Sequence, residues 1–289
     1  LVVGNQDAFK KYEKDLKSFK KRLVFVDIER AQLPLNIEFD LVVVLGVNIQ
    51  QTHSYYSKCN EFKNRGIPVV FGIAERGLIY EPSNWKSIDL TITGMFYLAS
   101  QYIPTLSQRG SYLEFGVFDG RSFTLACHAL KDICDSFYAF DSFQGIVGSR
   151  DDEQQMYQEN AYYANIETFW YNMSVSGVDH LPIKAIQGAF QDTLFGKTAL
   201  DYDGIGPISI VHIDSDIYEA AILALEFVSP ALVNGSLILF DEFHAFGANN
   251  NKGERRALSE WLSRHPEFTA EIYRNYTAVA RSYIIHRSE

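Results

Sequence analysis

The chain has few cysteines and no long hydrophobic run. Its three cysteines, Cys59, Cys127 and Cys134, are far apart and never form a C-x-x-C pair, so the sequence predicts neither a disulfide framework nor a zinc knuckle. Unpaired thiols are typical of a reducing compartment, and we expect a cytoplasmic location. The most apolar stretch, residues 41–47, is much shorter than the roughly 18 residues of a membrane-spanning helix, so we expect no membrane span.

Basic residues are also scarce. The 289 residues include 26 lysines and arginines against 36 aspartates and glutamates, a formal net charge of −10. Residues 1–85 carry 12 basic and 10 acidic side chains, so the acidic excess lies wholly in residues 86–289. Because phosphate backbones bind to basic surfaces, this balance argues against a nucleic-acid partner. The chain opens Leu-Val-Val-Gly, without a Met or a signal-peptide pattern, as a piece of a longer polypeptide would.

The first part of the chain alternates strand and helix patterns. We interpret residues 1–85 as a small Rossmann-like α/β module with a parallel sheet. The apolar strand patterns lie at residues 1–4, 23–28, 40–46 and 67–73, and the helical patterns at 8–22 and 54–65. The turn after the first strand lacks the G-x-G-x-x-G pattern of a dinucleotide site, so the role of this module stays open. The periodicity breaks at residues 81–84, where we place a linker.

A second, longer alternation fills residues 86–289, which we interpret as one larger α/β domain. The predicted helices are residues 90–106, 122–130, 218–228 and 254–264. The predicted strands are residues 112–117, 137–140, 183–187, 208–213, 236–240, 268–273 and 277–286. The last two strands are separated by only three residues, which predicts an antiparallel hairpin at an edge of the sheet.

Polar and small residues follow the first strand of this domain. In an open α/β sheet, ligands bind beyond the carboxyl ends of the strands, so these positions are candidates for a binding site. Glu114 is followed by a turn with Gly116 and Gly120, which lets the backbone approach a ligand closely. Ser122 is expected to cap the helix that comes next.

The next two strands end in a similar way. Asp141 and Ser142 follow the second strand, and an acidic residue at that position suits the two hydroxyls of a ribose. The third strand leads into Gly188, Ala189 and Phe190, where a flat ring can lie between the backbone and an aromatic side chain.

Taken together, these motifs resemble class I S-adenosylmethionine-dependent methyltransferases. The closer resemblance is to the macrocin O-methyltransferase family, which methylates sugar hydroxyls, and it covers about residues 86–289. The matching pieces are Glu114-Phe115-Gly116-Val117 with Gly120, Phe140-Asp141-Ser142-Phe143-Gln144-Gly145, Gly188-Ala189-Phe190-Gln191-Asp192-Thr193-Leu194, Ile213-Asp214-Ser215-Asp216-Ile217-Tyr218-Glu219, Asp241-Glu242-Phe243 and Gly253-Glu254-Arg255-Arg256-Ala257. The resemblance implies a Rossmann-like fold with a mostly parallel seven-stranded sheet and an antiparallel last strand. It also implies S-adenosylmethionine as the cofactor, bound by the residues at the strand ends, Asp214 among them.

Three carboxylates are expected to meet at the ends of two neighbouring strands. Asp214, Asp241 and Glu242 are hard oxygen ligands, which would suit Mg²⁺ with room for waters and a substrate diol. The resemblance implies the same three positions. Without a cation, the same carboxylates would repel one another and raise the pKa of at least one of them, which is the alternative interpretation.

Two residues are candidates for the general base that takes the proton from the acceptor hydroxyl. Asp216 is the first choice, because it is the second acid of the Asp214-Ser215-Asp216 motif. Its alternative role is that of N-cap for the helix at 218–228. His244 is the rival, because an unperturbed imidazole has a pKa near 6.5, and its alternative is a solvated surface side chain.

The expected function is Mg²⁺-assisted O-methylation of a sugar hydroxyl in a glycosylated natural product or a polysaccharide precursor. The long aromatic segment 144–178 is expected either to close over the sugar or to pack structurally, including against a second subunit of a homodimer or higher oligomer. The expected partner is therefore a small-molecule glycoside or sugar. Two alternatives are a catechol-like phenol as acceptor, and a non-catalytic docking module of a larger protein.

Overall fold

The chain divides into two compact units in the computed structural model. One unit comprises Leu1–Pro82 with Ala164–Asn172, and the other comprises Ser83–Tyr163 with Met173–Glu289. The structure describes residues 2–4, 25–27, 42–46, 58–59, 61–62, 65, 67, 69–73, 91–106, 109–148, 157–158, 160 and 162–288. The linker predicted at 81–84 lies outside these residues, so the boundary near residue 85 stays a prediction.

The first unit contains a four-stranded parallel sheet. Its strands are β1 (Val2–Gly4), β2 (Phe25–Asp27), β3 (Val42–Gly46) and β4 (Val69–Ile73). They lie in the order β2-β1-β3-β4, and every described pair is parallel. The side chains of Val3, Val26, Val42 and Val44 are buried, as expected for a parallel sheet covered on its faces. The parallel pairing is thus confirmed, whereas the predicted helix at 8–22 and most of that at 54–65 lie outside the described residues.

The second unit is built on a seven-stranded sheet in the order β10-β11-β9-β8-β5-β6-β7. Strand β11 runs antiparallel to both of its neighbours, and the other described pairs are parallel. The strands are β5 (Gly110–Phe115), β6 (Cys134–Asp141), β7 (Ile183–Gln187), β8 (Ile208–Ile213), β9 (Leu232–Phe240), β10 (Phe268–Asn275) and β11 (Arg281–Arg287). The predicted fold and its closing antiparallel hairpin are confirmed.

Helices precede or connect the strands of the larger sheet, and none among the described residues is long and apolar enough to cross a membrane. They are α1 (Ile92–Tyr102), α2 (Arg121–Leu130), α3 (Ile166–Val175), α4 (Phe190–Thr193), α5 (Tyr218–Val228), α6 (Ala245–Ala248) and α7 (Gly253–Arg264). Thr91 begins α1 as its N-cap, since its hydroxyl accepts a hydrogen bond from the Gly94 N–H at 3.3 Å.

The centre of the larger sheet is buried on both faces. Every residue of β5 and β8 is buried, so these two strands form a rigid base for the loops that follow them. Phe115 and Phe140 stack with ring centroids 4.9 Å apart, and Phe227 of α5 packs edge-on against both. The apolar packing therefore fixes the strand ends from which the polar side chains project.

Candidate functional site

The loops at the carboxyl edge of the larger sheet are tied together by backbone hydrogen bonds. Each bond continues the ladder of the sheet one residue past a strand end, from β7 across to β9. The donors and acceptors are Gly188 N–H to Asp141 C=O and Gly116 N–H to Phe140 C=O, both at 2.9 Å, Asp214 N–H to Phe115 C=O at 2.9 Å, and Asp241 N–H to Ile213 C=O at 3.1 Å. The topology thus aligns five of the predicted site residues along one edge.

At the end of β5, the backbone of Gly116 lies very close to the backbone of Asp214, which follows β8. The φ of +87° at Gly116 lies in the left-handed region, and a Cβ there would lie 1.9 Å from the carbonyl oxygen of Asp214. Only glycine tolerates both conditions. This contact also corrects the predicted end of the first strand, which was placed at residue 117 but falls at Phe115, because the chain turns at Gly116.

The Asp141 carboxylate organises the loop after β5. One of its oxygens accepts hydrogen bonds from the N–H groups of Val117, at 2.7 Å, and Phe118, at 2.9 Å. The other accepts from the N–H of Phe143 at 2.6 Å. Burial raises the pKa of Asp141 above its usual value, although the three N–H groups act in the opposite direction. Asp141 therefore holds the glycine turn of β5 against the end of β6.

A side-chain hydrogen bond between Ser122 and Glu114 connects the two ends of the same turn. Glu114 is fully buried, and it accepts hydrogen bonds from the hydroxyls of Tyr112 and Ser122, the second at 2.5 Å. The expectation that Ser122 caps the helix is wrong. Gly120 is the N-cap of α2, so Ser122 lies inside the first turn and directs its hydroxyl at Glu114.

A cavity of about 330 Å³ opens at this edge of the sheet. Its volume is in the range of small-molecule binding sites. It is lined by nine of the predicted site residues: Gly116, Asp141, Ser142, Ala189, Phe190, Asp214, Asp216, Asp241 and Glu242. The lining does not include Glu114, Gly120, Ser122, Gly188 or His244. The structure therefore brings both the predicted cofactor-binding residues and the predicted metal ligands to one cavity.

Carboxylates cluster on one wall of this cavity. Asp214, Asp216 and Glu242 each place an oxygen within 4.8 Å of the others. This trio includes Asp216, which was predicted as the base, and leaves out Asp241, which was predicted as a ligand. Asp241 still lines the cavity, and its Oδ1 lies 4.0 Å from Nε2 of His212.

Burial and mutual repulsion perturb these carboxyl groups strongly. Burial, followed by the charge of Asp241, raises the pKa of Asp214 well above its usual value and that of Asp216 to about 7. Burial and the charge of Asp214 raise the pKa of Glu242 in the same way. Shifts of this kind are common at binding and catalytic sites.

Asp216 occupies an unusual backbone position. Its φ is +64°, in the left-handed region that few residues other than glycine adopt. The N-cap of α5 is Ile217, without a side-chain capping bond, so the alternative role of Asp216 as an N-cap is wrong. The strained backbone is retained at a residue that faces the cavity, as is common at functional sites.

Comparisons with known proteins agree with this geometry. Residues 113–243 match a protein family described as a methyltransferase domain. Among solved structures, the O-methyltransferase NovP superposes with a TM-score of 0.56 at 18% identity, over 68% of this chain and 78% of NovP. CalS11, a calicheamicin methyltransferase, gives a TM-score of 0.53 at 18% identity, over 67% of this chain and 77% of CalS11. Residues 113–243 therefore have the sequence of a methyltransferase domain, with the fold that NovP and CalS11 share.

A curated relative is the 8-demethyl-8-(2,3-dimethoxy-alpha-L-rhamnosyl)-tetracenomycin-C 4'-O-methyltransferase of Streptomyces olivaceus. It is 27% identical over 175 residues, which are 55% of this chain and 65% of the relative. The alignment thus spans slightly less than two thirds of that relative. The two structural matches are too distant in sequence to establish more than the fold of the methyltransferase domain.

Two buried residues of the methyltransferase domain were not predicted as part of the site. Glu254, in the first turn of α7, accepts a hydrogen bond from the N–H of Glu242 at 2.9 Å and so fixes the loop after β9. His212, in β8, is fully buried, with its Nδ1 3.5 Å from Oε1 of Glu114. Burial alone would lower the pKa of His212, but Glu114 and Asp241 raise it well above its usual value. The signal for His212 in the sequence is an ionisable residue within the otherwise uncharged strand β8.

His244 lies beside the methyltransferase cavity and not in its lining. Nη1 of Arg255 is 3.1 Å from Nδ1 of His244, which therefore acts as the acceptor. Burial, followed by the charge of Arg281, lowers the pKa of His244. The geometry favours Asp216 over His244 as the group that meets a bound acceptor, and the assignment of the base stays a prediction.

Two tyrosines of the predicted aromatic segment reach the cavity. Tyr157 and Tyr162 both line it, and the first packs edge-on against Phe246 at 5.5 Å between ring centroids. Tyr162 packs against Phe118 at 6.3 Å, on the side of the glycine turn. Residues 149–156 of the segment lie outside the described residues. Two aromatic side chains of this segment therefore line the cavity.

Proposed function

We propose that the chain transfers a methyl group from S-adenosylmethionine to a hydroxyl of a sugar, with assistance from Mg²⁺. The observation that carries the proposal is the carboxylate trio Asp214, Asp216 and Glu242 on the wall of a cavity formed by the glycine turn after β5. A sulfonium already activates the methyl carbon, so the enzyme has to activate a weakly nucleophilic hydroxyl. Clustered carboxylates are suited to that task.

The cofactor would lie along the ends of β5, β6 and β7. The Asp141 oxygens have lone pairs beyond those used by the loop, and these would accept hydrogen bonds from the ribose hydroxyls. Phe190 packs edge-on against Phe115 and lines the cavity, where it would border the adenine with Ala189. The absence of a side chain at Gly116 would let the sulfonium end approach the backbone.

The carboxylate wall fits a hard divalent cation. The Oε2 atom of Glu242 is buried and has no hydrogen-bond partner among the described residues, which is costly unless a cation or water occupies the adjacent space. Asp214 and Glu242 would hold the ion, and the third protein ligand would be Asp241, as predicted, or Asp216, which is nearer in the structure. When bound, Mg²⁺ would lower the pKa of the acceptor hydroxyl.

Asp216 would accept the proton of that hydroxyl. Its pKa of about 7 is close to neutral pH, where a general base works efficiently. The hydroxyl oxygen would then form a bond to the methyl carbon while the bond between that carbon and the sulfur breaks. The electron pair of the broken bond would stay on the sulfur. Tyr157 and Tyr162 would contact the sugar on the open side of the cavity.

The acceptor class is inferred from the relatives. The Streptomyces olivaceus relative is named for 4'-O-methylation of a rhamnosyl group on a tetracenomycin, and CalS11 is described as a calicheamicin methyltransferase. We therefore favour a sugar of a glycosylated natural product, or of a polysaccharide precursor, over a catechol-like phenol. The small substrate and the unpaired cysteines would suit a cytoplasmic enzyme.

Titration calorimetry tests the proposal directly. S-Adenosylmethionine should bind to the folded chain, and the absence of binding with and without Mg²⁺ would refute the proposed function. Mg²⁺ titrations into the Asp241→Asn and Asp216→Asn variants then separate the roles of these residues. A ligand variant should lose Mg²⁺ affinity, whereas a base variant should keep that affinity and lose kcat. Asp203→Asn is the matched control, because its carboxylate is fully exposed and pairs with Lys184 at 3.7 Å.

A further inference from the structure

Two arginines flank the carboxylate loop and share one aromatic ring. The guanidinium carbon of Arg255, in α7, lies 5.1 Å from the ring centroid of Phe243, and that of Arg281, at the start of β11, lies 5.3 Å from the same centroid. Phe243 is buried and directly follows Glu242, a residue of the cavity wall. Both positive charges are therefore held at the end of the loop that carries Asp241 and Glu242.

Neither guanidinium is neutralised by a carboxylate among the described residues. Arg255 donates from Nε, at 3.0 Å, and Nη2, at 2.8 Å, to the side-chain oxygen of Asn250, and its Nη1 faces His244. Arg281 donates from Nε to the side-chain oxygen of Asn275 at 2.7 Å, and its Nη1 lies 3.5 Å from the Tyr283 hydroxyl. The amides of Asn250 and Asn275 and the Tyr283 hydroxyl carry no charge, and His244 offers a ring nitrogen, so none of these partners is a carboxylate.

Other arginines of α7 differ from Arg255, because they form ion pairs with carboxylates. Arg256, the next residue of α7, forms an ion pair with Glu260 at 2.7 Å, and Arg264 pairs with Glu226 at 2.8 Å. A chain with 36 acidic residues could supply carboxylates to Arg255 and Arg281 as well. Holding two half-buried cations on neutral acceptors costs solvation energy, so the unused charge calls for a ligand.

The two arginines lie at the same edge of the sheet as the cavity. Arg281 pairs with Phe240 in the β9–β11 register, and Phe240 directly precedes Asp241. Arg281 therefore lies at the carboxyl edge of the parallel strands, where ligands bind in sheets of this kind. The Val279 C=O accepts the His244 N–H at 2.8 Å and ties the hairpin to the carboxylate loop. A substrate with a neutral sugar at the carboxylates could therefore extend an anionic group to the arginines.

We propose that Arg255 and Arg281 bind a phosphate group carried by the acceptor sugar, so that the enzyme methylates a sugar phosphate or a nucleoside diphosphate sugar. A carboxylate has two oxygens, which a single guanidinium fork satisfies. Two guanidinium groups fit an anion with more oxygens and a second charge, as phosphate and diphosphate have. This inference rests on the proposed sugar O-methylation and narrows its substrate class.

Pyrophosphate binding tests the site without methyl transfer. Inorganic pyrophosphate is titrated into the full chain in EDTA, without S-adenosylmethionine, for wild type and for the Arg255→Gln/Arg281→Gln variant. We expect the double variant to bind at least tenfold more weakly. Arg287→Gln is the matched control, because Arg287 ends the same strand at the opposite edge and also stacks on a phenylalanine, with 5.4 Å to the Phe268 ring centroid. It should bind like wild type.

Equal binding by wild type and the double variant, or no binding by wild type, would overturn the proposal and leave the arginines as a clamp on Phe243. Thermal unfolding of each variant checks that the loop is intact. If the double variant does not fold, Arg281→Lys replaces it, and the loss of the fork with retention of charge should still weaken pyrophosphate binding severalfold.

A kinetic comparison then identifies the source of the phosphate. One hexose is offered as its methyl glycoside, its 1-phosphate and its nucleoside diphosphate, with a uronate as the carboxylate comparison. The double variant should lose at least tenfold in kcat/KM on the phosphorylated acceptor that wild type prefers, and should be unchanged on the methyl glycoside. A preference of wild type for the uronate or the methyl glycoside would refute the phosphate assignment. Absence of S-adenosylmethionine binding, in contrast, would refute the methyl transfer and leave the pyrophosphate result standing.

Discussion

Replacing Gly116 by alanine tests the contact on which the geometry of the site depends. The added Cβ would lie 1.9 Å from the carbonyl oxygen and 2.9 Å from the carbonyl carbon of Asp214, and both are backbone atoms that no rotamer change can move. Ordinary contacts between such atoms are about 3.5 Å, so the ends of β5 and β8 would have to separate by roughly 1.5 Å. That shift would carry the Asp214 carboxylate with it.

The expected cost has two parts. A non-glycine residue at the φ of +87° costs about 1–2 kcal/mol. Separating the strand ends also weakens the hydrogen bond from the Asp214 N–H to the Phe115 C=O, a further cost of about 1–2 kcal/mol. We therefore expect Gly116→Ala to lower the free energy of unfolding by about 3 kcal/mol and the Tm by roughly 6–12 °C in a domain of this size.

Gly177→Ala is the control for the backbone part alone. Gly177 has a φ of +69°, and no atom lies within 4 Å of the position that a Cβ would take. Its substitution should cost about 1 kcal/mol, or roughly 2–4 °C. Differential scanning calorimetry compares the two variants, and calorimetric titration follows S-adenosylmethionine binding. Equal decreases in Tm for both variants would refute the claim that the close approach to Asp214 requires glycine.

Two further variants and one labelling reaction test the contacts of Asp141, the hydrogen bond of Ser122 and the burial of two cysteines. Asp141→Ala removes the acceptor of three loop N–H groups, so S-adenosylmethionine affinity should fall at least tenfold by calorimetry, and unchanged affinity would contradict this role. Ser122→Ala removes one of the two hydroxyl groups that donate to the buried Glu114 and should lower the Tm by roughly 2–6 °C in a scan, whereas an unchanged Tm would argue against the bond. Burial raises the pKa of Cys134 to about 12 and that of Cys127 well above its usual value, so iodoacetamide at pH 8 should label neither thiol before unfolding. Rapid labelling of native protein would contradict their burial.

The regular parts of the methyltransferase domain could be predicted from local pattern. The bounds predicted for β7, β8 and α5 agree with the structure, because apolar runs of the right length end there at polar or small residues. The site edge could be predicted for a topological reason. Parallel strands present their carboxyl ends at one edge, so residues that directly follow different strands have to meet.

Details decided by tertiary contact could not be predicted. The early end of β5 depends on Asp214, which is about a hundred residues away in sequence, and no local signal at Gly116 gives that distance. The direction of the Ser122 hydroxyl depends on Glu114, a residue that a central strand buries. In the same way, β8 is buried on both faces, so alternation does not reveal which neighbours His212 contacts.

The carboxylate wall should make the stability of the fold depend on both pH and divalent cation. Burial and the charge of Asp241 raise the pKa of Asp214 well above its usual value and that of Asp216 to about 7 in the folded state. Between the unfolded pKa near 4 and these higher folded values, the folded state binds more protons, so its stability falls as the pH rises through that interval. Without divalent cation, we expect the Tm to decrease from pH 5 to pH 8.

A bound cation would remove this repulsion, because it interacts with the ionised carboxylates and not with the protonated ones. Mg²⁺ should therefore raise the Tm more at pH 8 than at pH 5, and this difference should disappear in the Glu242→Gln variant and persist in Asp203→Asn, whose carboxylate is exposed at a distance from the wall. A Tm gain that is the same at both pH values, or the same in Glu242→Gln, would show that the ion binds elsewhere. Under the proposed function, the instability of the unliganded wall would be the cost of keeping four carboxylates close enough to bind a cation and activate a hydroxyl.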